Sequence, residues 1–454
     1  MKRKYTPFLL LTLTVCLLSS CLSNDDSSST VYYDTAITSF SVGTLKRHVT
    51  TASGEDSIVK TDCSGYNFYI DQLTHEIYNT DSLPYGIDAS MAVVSISSKN
   101  SGTIVLKNIN SDTLTYYSST DSLDFSVPRE LRVYNANGDY AAYTVNVNVH
   151  QEEADSFMWS RKADNQVLAS LEGMKAVCNA GKIYVFGTDG NALKIYMTSM
   201  TDGNSWQEIS NSANLPAEAY NHVMAHDGTI YILNQGIILT STDAQNWTEL
   251  AKTNLTQLLG YSSSTMYGMN GNAIMSSTDN GVSWSEDLLD TDASYLPTSN
   301  ISFMARTDES VDNADRLVLV GNRIANNETT AVVWGKLAEY SSSADSDPWM
   351  YYPPVKDITY KLPTATKLVA LNYYNGIIAF DGKQFYYSED NGITWPIESD
   401  RTIYIPDTFS ANTTNFAFVK DDNNYLWMIM GASGQVWRGR HCELGWKTYQ
   451  TSFK

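Results

Sequence analysis

Carboxylates set in a repeated frame are the first residues of this chain whose spacing could carry chemistry. Asp279 and Asp390 occupy the same place in STDNGVSW (277–284) and SEDNGITW (388–395), two segments that share Ser, Asp, Asn, Gly and Trp in register. A carboxylate becomes a catalytic acid or nucleophile when a second carboxylate stands across a cleft from it. Here each Asp is followed instead by Asn-Gly, so it can accept backbone N–H bonds from its own turn, and the Ser hydroxyl can do the same more weakly. Gly gives the backbone freedom to reverse, and the Trp offers a large ring to bury against the neighbouring hairpin. Ser277, Asp279, Gly281 and Trp284, with Ser388, Asp390, Gly392 and Trp395, are therefore predicted to be folding devices.

The other candidates for chemistry are weaker. His222 and His226 are four residues apart; on one strand face that spacing spans about 13 Å, too far to share one metal ion. Asp421, Asp422, Asn423 and Asn424 have the composition of a calcium loop but lack its spaced glycine and closing Glu, which predicts a solvated turn. Arg438 and Arg440 alternate along one stretch and could meet an anion or form a solvated edge. Of five cysteines, Cys63, Cys178 and Cys442 remain once the leader and Cys21 are set aside. An odd number without CxxC spacing is read as buried small thiols. No metal and no cofactor is expected.

The elements that must position these groups repeat. Two shortened copies of the phrase run from Asp202 to Trp206 and from Asp243 to Trp247, and Trp349 and Trp446 look like worn copies. The landmarks Trp159, 206, 247, 284, 349, 395 and 446 are 47, 41, 37, 65, 46 and 51 residues apart, close to the roughly 40–50 residues of a propeller blade. Leu215-Pro216, Leu296-Pro297, Leu362-Pro363 and Ile405-Pro406 each follow a repeat Trp. Pro cannot donate to a sheet ladder, so it fits where the chain leaves an outer edge strand. Each unit reads as four antiparallel strands with the phrase between the third and fourth. Seven landmarks enclose six blades, with Trp159 in a lead-in strand beside the first. The alternative is seven, with the Trp159 strand completed by C-terminal residues.

The phrase resembles the Asp box, or bacterial neuraminidase repeat. That resemblance implies sialidase-like architecture, in which an arginine triad clamps a carboxylate in a bidentate geometry. The Arg-Ile-Pro motif that carries one of those arginines is absent, and Arg323-Ile324 is followed by Ala325. Hydrolysis of simple sialosides is not expected.

Towards the N-terminus the chain reads differently. Lys2, Arg3 and Lys4 precede an apolar stretch, Phe8 to Leu18, too short to span a bilayer. Leu18-Ser19-Ser20-Cys21 resembles a bacterial lipobox, which implies lipid on Cys21. Cleavage there would move the net charge from -20 to -23. The stretch 21–34 reads as an acidic flexible tether. Residues 35–152 contain no Trp and alternate as short strands, for example Tyr143, Val145, Val147 and Val149, which predicts an antiparallel β-sandwich; the segment resembles the Ig-like or cadherin-like modules that follow the tether in Bacteroides surface lipoproteins. Asn137-Gly138 marks a hairpin.

The expected organisation is thus all-β. It comprises 1–20 signal peptide, 21–34 tether, 35–152 Ig-like β-sandwich and 156–454 Asp-box β-propeller. The whole resembles a Bacteroides-type surface lipoprotein family with an Ig-like domain and a sialidase-like repeat propeller, lipid-anchored to the outer membrane and facing outward. A surface of Asp+Glu 50 against Lys+Arg 30 repels phosphate backbones, so nucleic acid is not an expected partner. Loops before the innermost strands should converge on one face and bring together Tyr220, Asn221, Asn300, Lys367, Thr414 and Asn415. Their amides and rings suit a neutral sugar or a peptide. The expected function is non-catalytic binding of a glycan or protein; the alternative is a glycoside hydrolase with an atypical site.

Overall fold

A computed structural model describes residues 31–50, 56–153, 156–340, 347–397 and 403–442. Cys21 and the rest of the leader, Asp345, Arg401 and Trp446 lie outside the described residues. The chain divides into two units, one within Met1–Ala154 and one at Asp155–Glu443.

The first unit holds a three-stranded sheet (Ile37–Val42, Ala92–Ser98, Ser122–Leu123) and a hairpin of Thr44–Thr50 with Asp56–Asp62. Its six-stranded sheet runs in the order Phe68–Asp71, Glu76–Asn79, Tyr140–Asn146, Arg129–Tyr134, Thr103–Lys107, Leu114–Tyr116. Inward residues such as Ile37, Phe40, Leu131, Tyr143 and Val145 form one apolar core. The expected all-antiparallel pairing fails where Glu76–Asn79 runs parallel to Tyr140–Asn146 and again at the parallel bridge Leu83↔Val149. A parallel pair needs a long connection, and here five other strands of the unit supply it.

The second unit is built from six sheets among the described residues. In chain order their innermost strands are Gly173–Asn179, Val223–His226, Gln257–Tyr261, Ser299–Thr307, Val369–Tyr373 and Phe416–Lys420. Each of these touches the next, and the sixth touches the first, so the six close a ring. Tight hairpins carry each sheet outward from it. Ala180-Gly181, Asp227-Gly228, Gln235-Gly236 and Asn326-Asn327 all have positive φ at both central residues, the backbone that matches the twist of the flanking strands. One apolar cluster fills each gap between neighbouring sheets, for instance Met304, Val318, Ala370 and Trp395 between the fourth and fifth. Fully burying such a side chain is worth about 1.5–3 kcal/mol.

The ring does not begin where the sequence reading put it. Phe157–Arg161 is the outermost strand of the sixth sheet, not a lead-in to the first, and pairs antiparallel with Val436–His441 from Phe157↔His441 to Arg161↔Trp437. Trp159 there stacks on Phe385 at 6.1 Å and donates its indole N–H to the Tyr404 carbonyl at 2.7 Å. The 65-residue interval between Trp284 and Trp349 also has a structural cause. The fourth sheet contains two strands of 12 residues, Ala314–Ala325 and Glu328–Glu339.

Candidate functional site

Two sets of charged loop residues could do chemistry: the Asp turns between third and fourth strands, and the groups at the start of the ring strands.

In the first set every acceptor is taken. Asp279 Oδ1 accepts from the Val282 and Ser283 N–H groups at 3.1 and 2.9 Å, and Oδ2 from the Ser283 hydroxyl at 2.6 Å. Ser277 donates to the same carboxylate at 2.8 Å while accepting from Gly281 N at 2.8 Å. Asp390 repeats the pattern with Ile393, Thr394 and Ser388. Gly281 and Gly392 sit at φ 92° and 93°, open to glycine and strained for other residues. Trp284 and Trp395 donate to the carbonyls of Gly281 and Gly392, three residues back, at 3.0 and 2.8 Å. Trp206 and Trp247 do the same to Gly203 and Ala244. Hydrogen bonds from the Ser283 hydroxyl and N–H hold the Asp279 carboxyl down at about 2. At Asp390 burial pushes upward, but the Thr394 hydroxyl and N–H outweigh it and the carboxyl is lowered. A carboxylate saturated by its own turn is a poor proton shuttle near neutral pH.

Trp349, the worn copy, is fully buried and its indole goes elsewhere. It donates to Asp287 Oδ2 at 3.1 Å, beside the Lys336 ammonium at 2.7 Å on the same oxygen. The expected solvated turn at Asp421 is a correction. Asp421 is buried and accepts from Asn423 N, Tyr425 N, the Trp427 indole and Arg438. Composition alone could not show that an indole and a guanidinium converge there. Arg438 is therefore neither free for an anion nor a solvated edge; it lies over the Tyr425 ring at 3.3 Å. Arg440 lies over the same Tyr425 ring at 4.6 Å and donates to the Asn423 carbonyl at 3.3 Å. The remaining described arginines of this unit stand apart: Arg161 pairs Asp164, Arg316 pairs Asp308, Arg306 binds the Asn375 carbonyl and Asn391, and Arg323 stacks on Tyr295. His226 stacks on Tyr261 at 3.9 Å. No disulfide joins Cys63, Cys178 and Cys442.

The rim of the ring differs. Lys367, just before the fifth ring strand, crosses to the carbonyls of Met174 and Phe416 at 2.7 and 2.6 Å. It thereby ties the start of the first ring strand to the start of the sixth. Its own loop is clamped by Asn300, whose amide donates to the Ala365 and Thr366 carbonyls at 3.1 and 2.8 Å. Asn415 donates to the Leu171 carbonyl, and Thr414 is capped by Asn412. Tyr220 and Asn221 lie in the turn Ala217–His222 ahead of the second ring strand. A side chain at Gly173 would meet the Tyr220 hydroxyl, so the ring lies against the first ring strand. The Asn221 carbonyl accepts from the Lys175 ammonium at 3.4 Å. Amides placed by the sequence reading on a binding face are thus largely occupied in holding the rim together.

Lys175 and His222 were not among the expected binding residues. Lys175 sits in the first ring strand within the run Met174-Lys175-Ala176-Val177, and a lone cation in an apolar strand was the available signal. Burial depresses its ammonium to about 8. Burial, with the Lys175 charge beside it, does the same to Lys367, also to about 8. Burial first and Lys175 second push His222 down as well, against a smaller upward pull from Glu218.

Residues 153–449 match the description "DUF6242 beta propeller domain", and residues 40–147 match the N-terminal domain of the same family. The chain belongs to the DUF6242 beta-propeller family. No curated protein matches it. Solved structures similar to it include a putative secreted protein of Bacteroides fragilis (14% identity, 26% of this chain and 98% of that one, TM-score 0.19). A Trichoderma reesei structure of carbohydrate-active enzymes family AA12 covers 64% of this chain and 97% of its own at 9% identity, TM-score 0.39. An endo-arabinase from Bacteroides thetaiotaomicron covers 55% and 99% at 14% identity, TM-score 0.30. Among the described residues no helix is long and apolar enough to cross a membrane.

Proposed function

We propose that this DUF6242 protein is a lipid-anchored outer-membrane protein whose six-bladed propeller binds a glycan or a protein outside the cell without cleaving it. In this reading Cys21 carries the lipid, residues 21–34 are the tether, the segment 35–152 is an Ig-like spacer, and 156–454 form an Asp-box propeller that presents the rim. The observation that carries it is where the reactive groups are spent. The Asp279 and Asp390 carboxylates are saturated by their own turns; Arg438, which shares the Tyr425 ring with Arg440, is spent on Asp421, and Arg161, Arg316, Arg306 and Arg323 are engaged singly with separate partners. Neither set supplies the paired carboxylates of glycoside hydrolysis or a shared arginine clamp. The rim, in contrast, gathers Tyr220, Asn221, Asn300, Lys367 and Asn415 around one ring.

The test uses the Cys21→Ser protein. It should leave the membrane fraction, and on a glycan array and against whole-cell surface proteins it should retain a ligand that is recovered intact. Turnover of a fluorogenic sialoside or arabinoside that is lost on mutating a rim residue would favour a hydrolase instead.

A further inference from the structure

We propose that Lys175, Lys367 and His222 form a receptor for an anionic oxyacid group, a carboxylate or a sulfate, at the rim of the ring. This rests on the binding reading above and narrows its ligand to an acidic one.

The three groups are brought together by backbone steps. The Lys367 ammonium lies 2.7 Å from the carbonyl of Met174, the residue before Lys175. The Lys175 ammonium lies 3.4 Å from the carbonyl of Asn221, the residue before His222. Three elements, the loop before the fifth ring strand, the first ring strand and the turn before the second, thus deliver two ammonium groups and an imidazole to one neighbourhood.

Their donors are not used up. A lysine ammonium has three N–H donors and no acceptor. Lys367 directs two at backbone carbonyls. Lys175 directs one, across a long contact. The His222 Nδ1 is buried with no hydrogen-bond partner. Burying an ionised group is costly unless an opposite charge answers it. Elsewhere this unit supplies the answer: Asp287 for Lys336, Asp421 for Arg438, Asp308 for Arg316. No ion pair is formed by Lys175 or Lys367 among the described residues, and the carboxylate that reaches His222 is Glu218. A fold that pairs Lys336 and Arg438 with carboxylates and leaves these two half-buried lysines without one is arranged for a negative charge from outside. A carboxylate or sulfate offers several acceptors in one compact group and would meet the open donors while neutralising the Lys–Lys repulsion. Tyr220, lying against Gly173, gives the sugar or peptide bearing that anion an aromatic wall.

The experiment is calorimetric titration of the full-length Cys21→Ser protein in low-chloride buffer. The probes are glucuronic acid, glucose as its neutral counterpart, and inorganic sulfate. Saturable binding of glucuronate or sulfate is expected, at least tenfold tighter than glucose. Lys175→Met should abolish it with an unchanged melting curve, and Lys175→Arg should keep most of it. The facing ionisable groups are Lys175, Lys367, His222 and Glu218, so affinity should weaken as pH rises through about 8. Glucuronate binding assigns an acidic sugar; sulfate binding alone assigns a sulfate ester or free anion; either supports the receptor. Binding of neither anion by folded protein overturns it, as does binding that Lys175→Met leaves intact. If anions fail while an intact ligand is still retained on the array, this inference falls and the binding reading stands. Turnover of a glycan with anion binding preserved has the opposite meaning.

Discussion

The Asp turns at the outer strands and the lysines at the ring are both ionised groups on connections between strands, and they differ in what answers the charge. Asp279 is met by two N–H groups and two hydroxyls of its own eight-residue phrase, so its environment is complete as soon as the turn forms. Lys367 and Lys175 meet carbonyls brought from other sheets, which carry only partial charge. A locally answered charge stabilises a hairpin. A charge left half-answered by the whole fold costs stability and stays available to a ligand.

The sharpest way to break this contrast is to remove the packed end of a turn. Trp395 is 1% exposed and Trp284 half-buried, so Trp395→Ala should cost about 3–5 kcal/mol, and Trp284→Ala clearly less, read from chemical denaturation of the two variants. Lys336→Met should come close behind. It strands Asp287 between the third and fourth sheets, where loss of one partner of a buried pair costs about 3–5 kcal/mol, softened by the Ser276 and Trp349 donors that remain.

Removing the carboxylate alone should do less. Asp390→Ala leaves backbone donors unpaired, at about 1–3 kcal/mol, with Asp279→Ala below it because that turn faces solvent. Ligand affinity of either variant, measured on the folded fraction, should be near normal; a normal melt with lost binding would place these residues in the site instead.

The smallest effect belongs to the ring. With folded values near 8 against a usual lysine near 10.4, the unfolded chain binds more protons between those limits. Stability from this source therefore rises as pH increases across that window. Lys175→Met should flatten the slope and leave the melting temperature near pH 7 equal or slightly higher. A fall of several degrees would mean that Lys175 holds the ring together.

Much of the propeller could be read from one phrase. Its Ser, Asp, Gly and Trp act within eight residues, so chemistry and spacing are visible together in the sequence. What escaped were features set by residues distant in the chain. The partner of the Phe157–Arg161 strand is Val436–His441; a C-terminal partner entered only with the seven-blade alternative, and no local pattern chose it over a lead-in strand. Asp421 reads as one of four polar residues in a turn until Trp427 and Arg438 fold back on it. Asn300, Lys367 and Asn415 were placed at the rim by register alone. That their polar atoms reach carbonyls of other loops and strands needed the ring to be closed. Lys175 carries no motif; it stands out when the absence of a carboxylate beside it is known.

The strand that closes the ring makes the unit a clasp whose two halves are synthesised first and last. Phe157–Arg161 emerges roughly 280 residues before its partner is available. The entropy of closing so long a loop grows only logarithmically, about 0.6 kcal/mol per doubling, so the clasp is not weak once shut. Its burden is in time. Pairings between distant segments form slowly, and until the last strand arrives the edges of Phe157–Arg161 and Leu426–Met430 that Val436–His441 will pair are open to strand addition by another chain. A chaperone or protease would meet the unfinished unit as five sheets with an unlatched gap, and quality control would depend on how fast two short strands find each other.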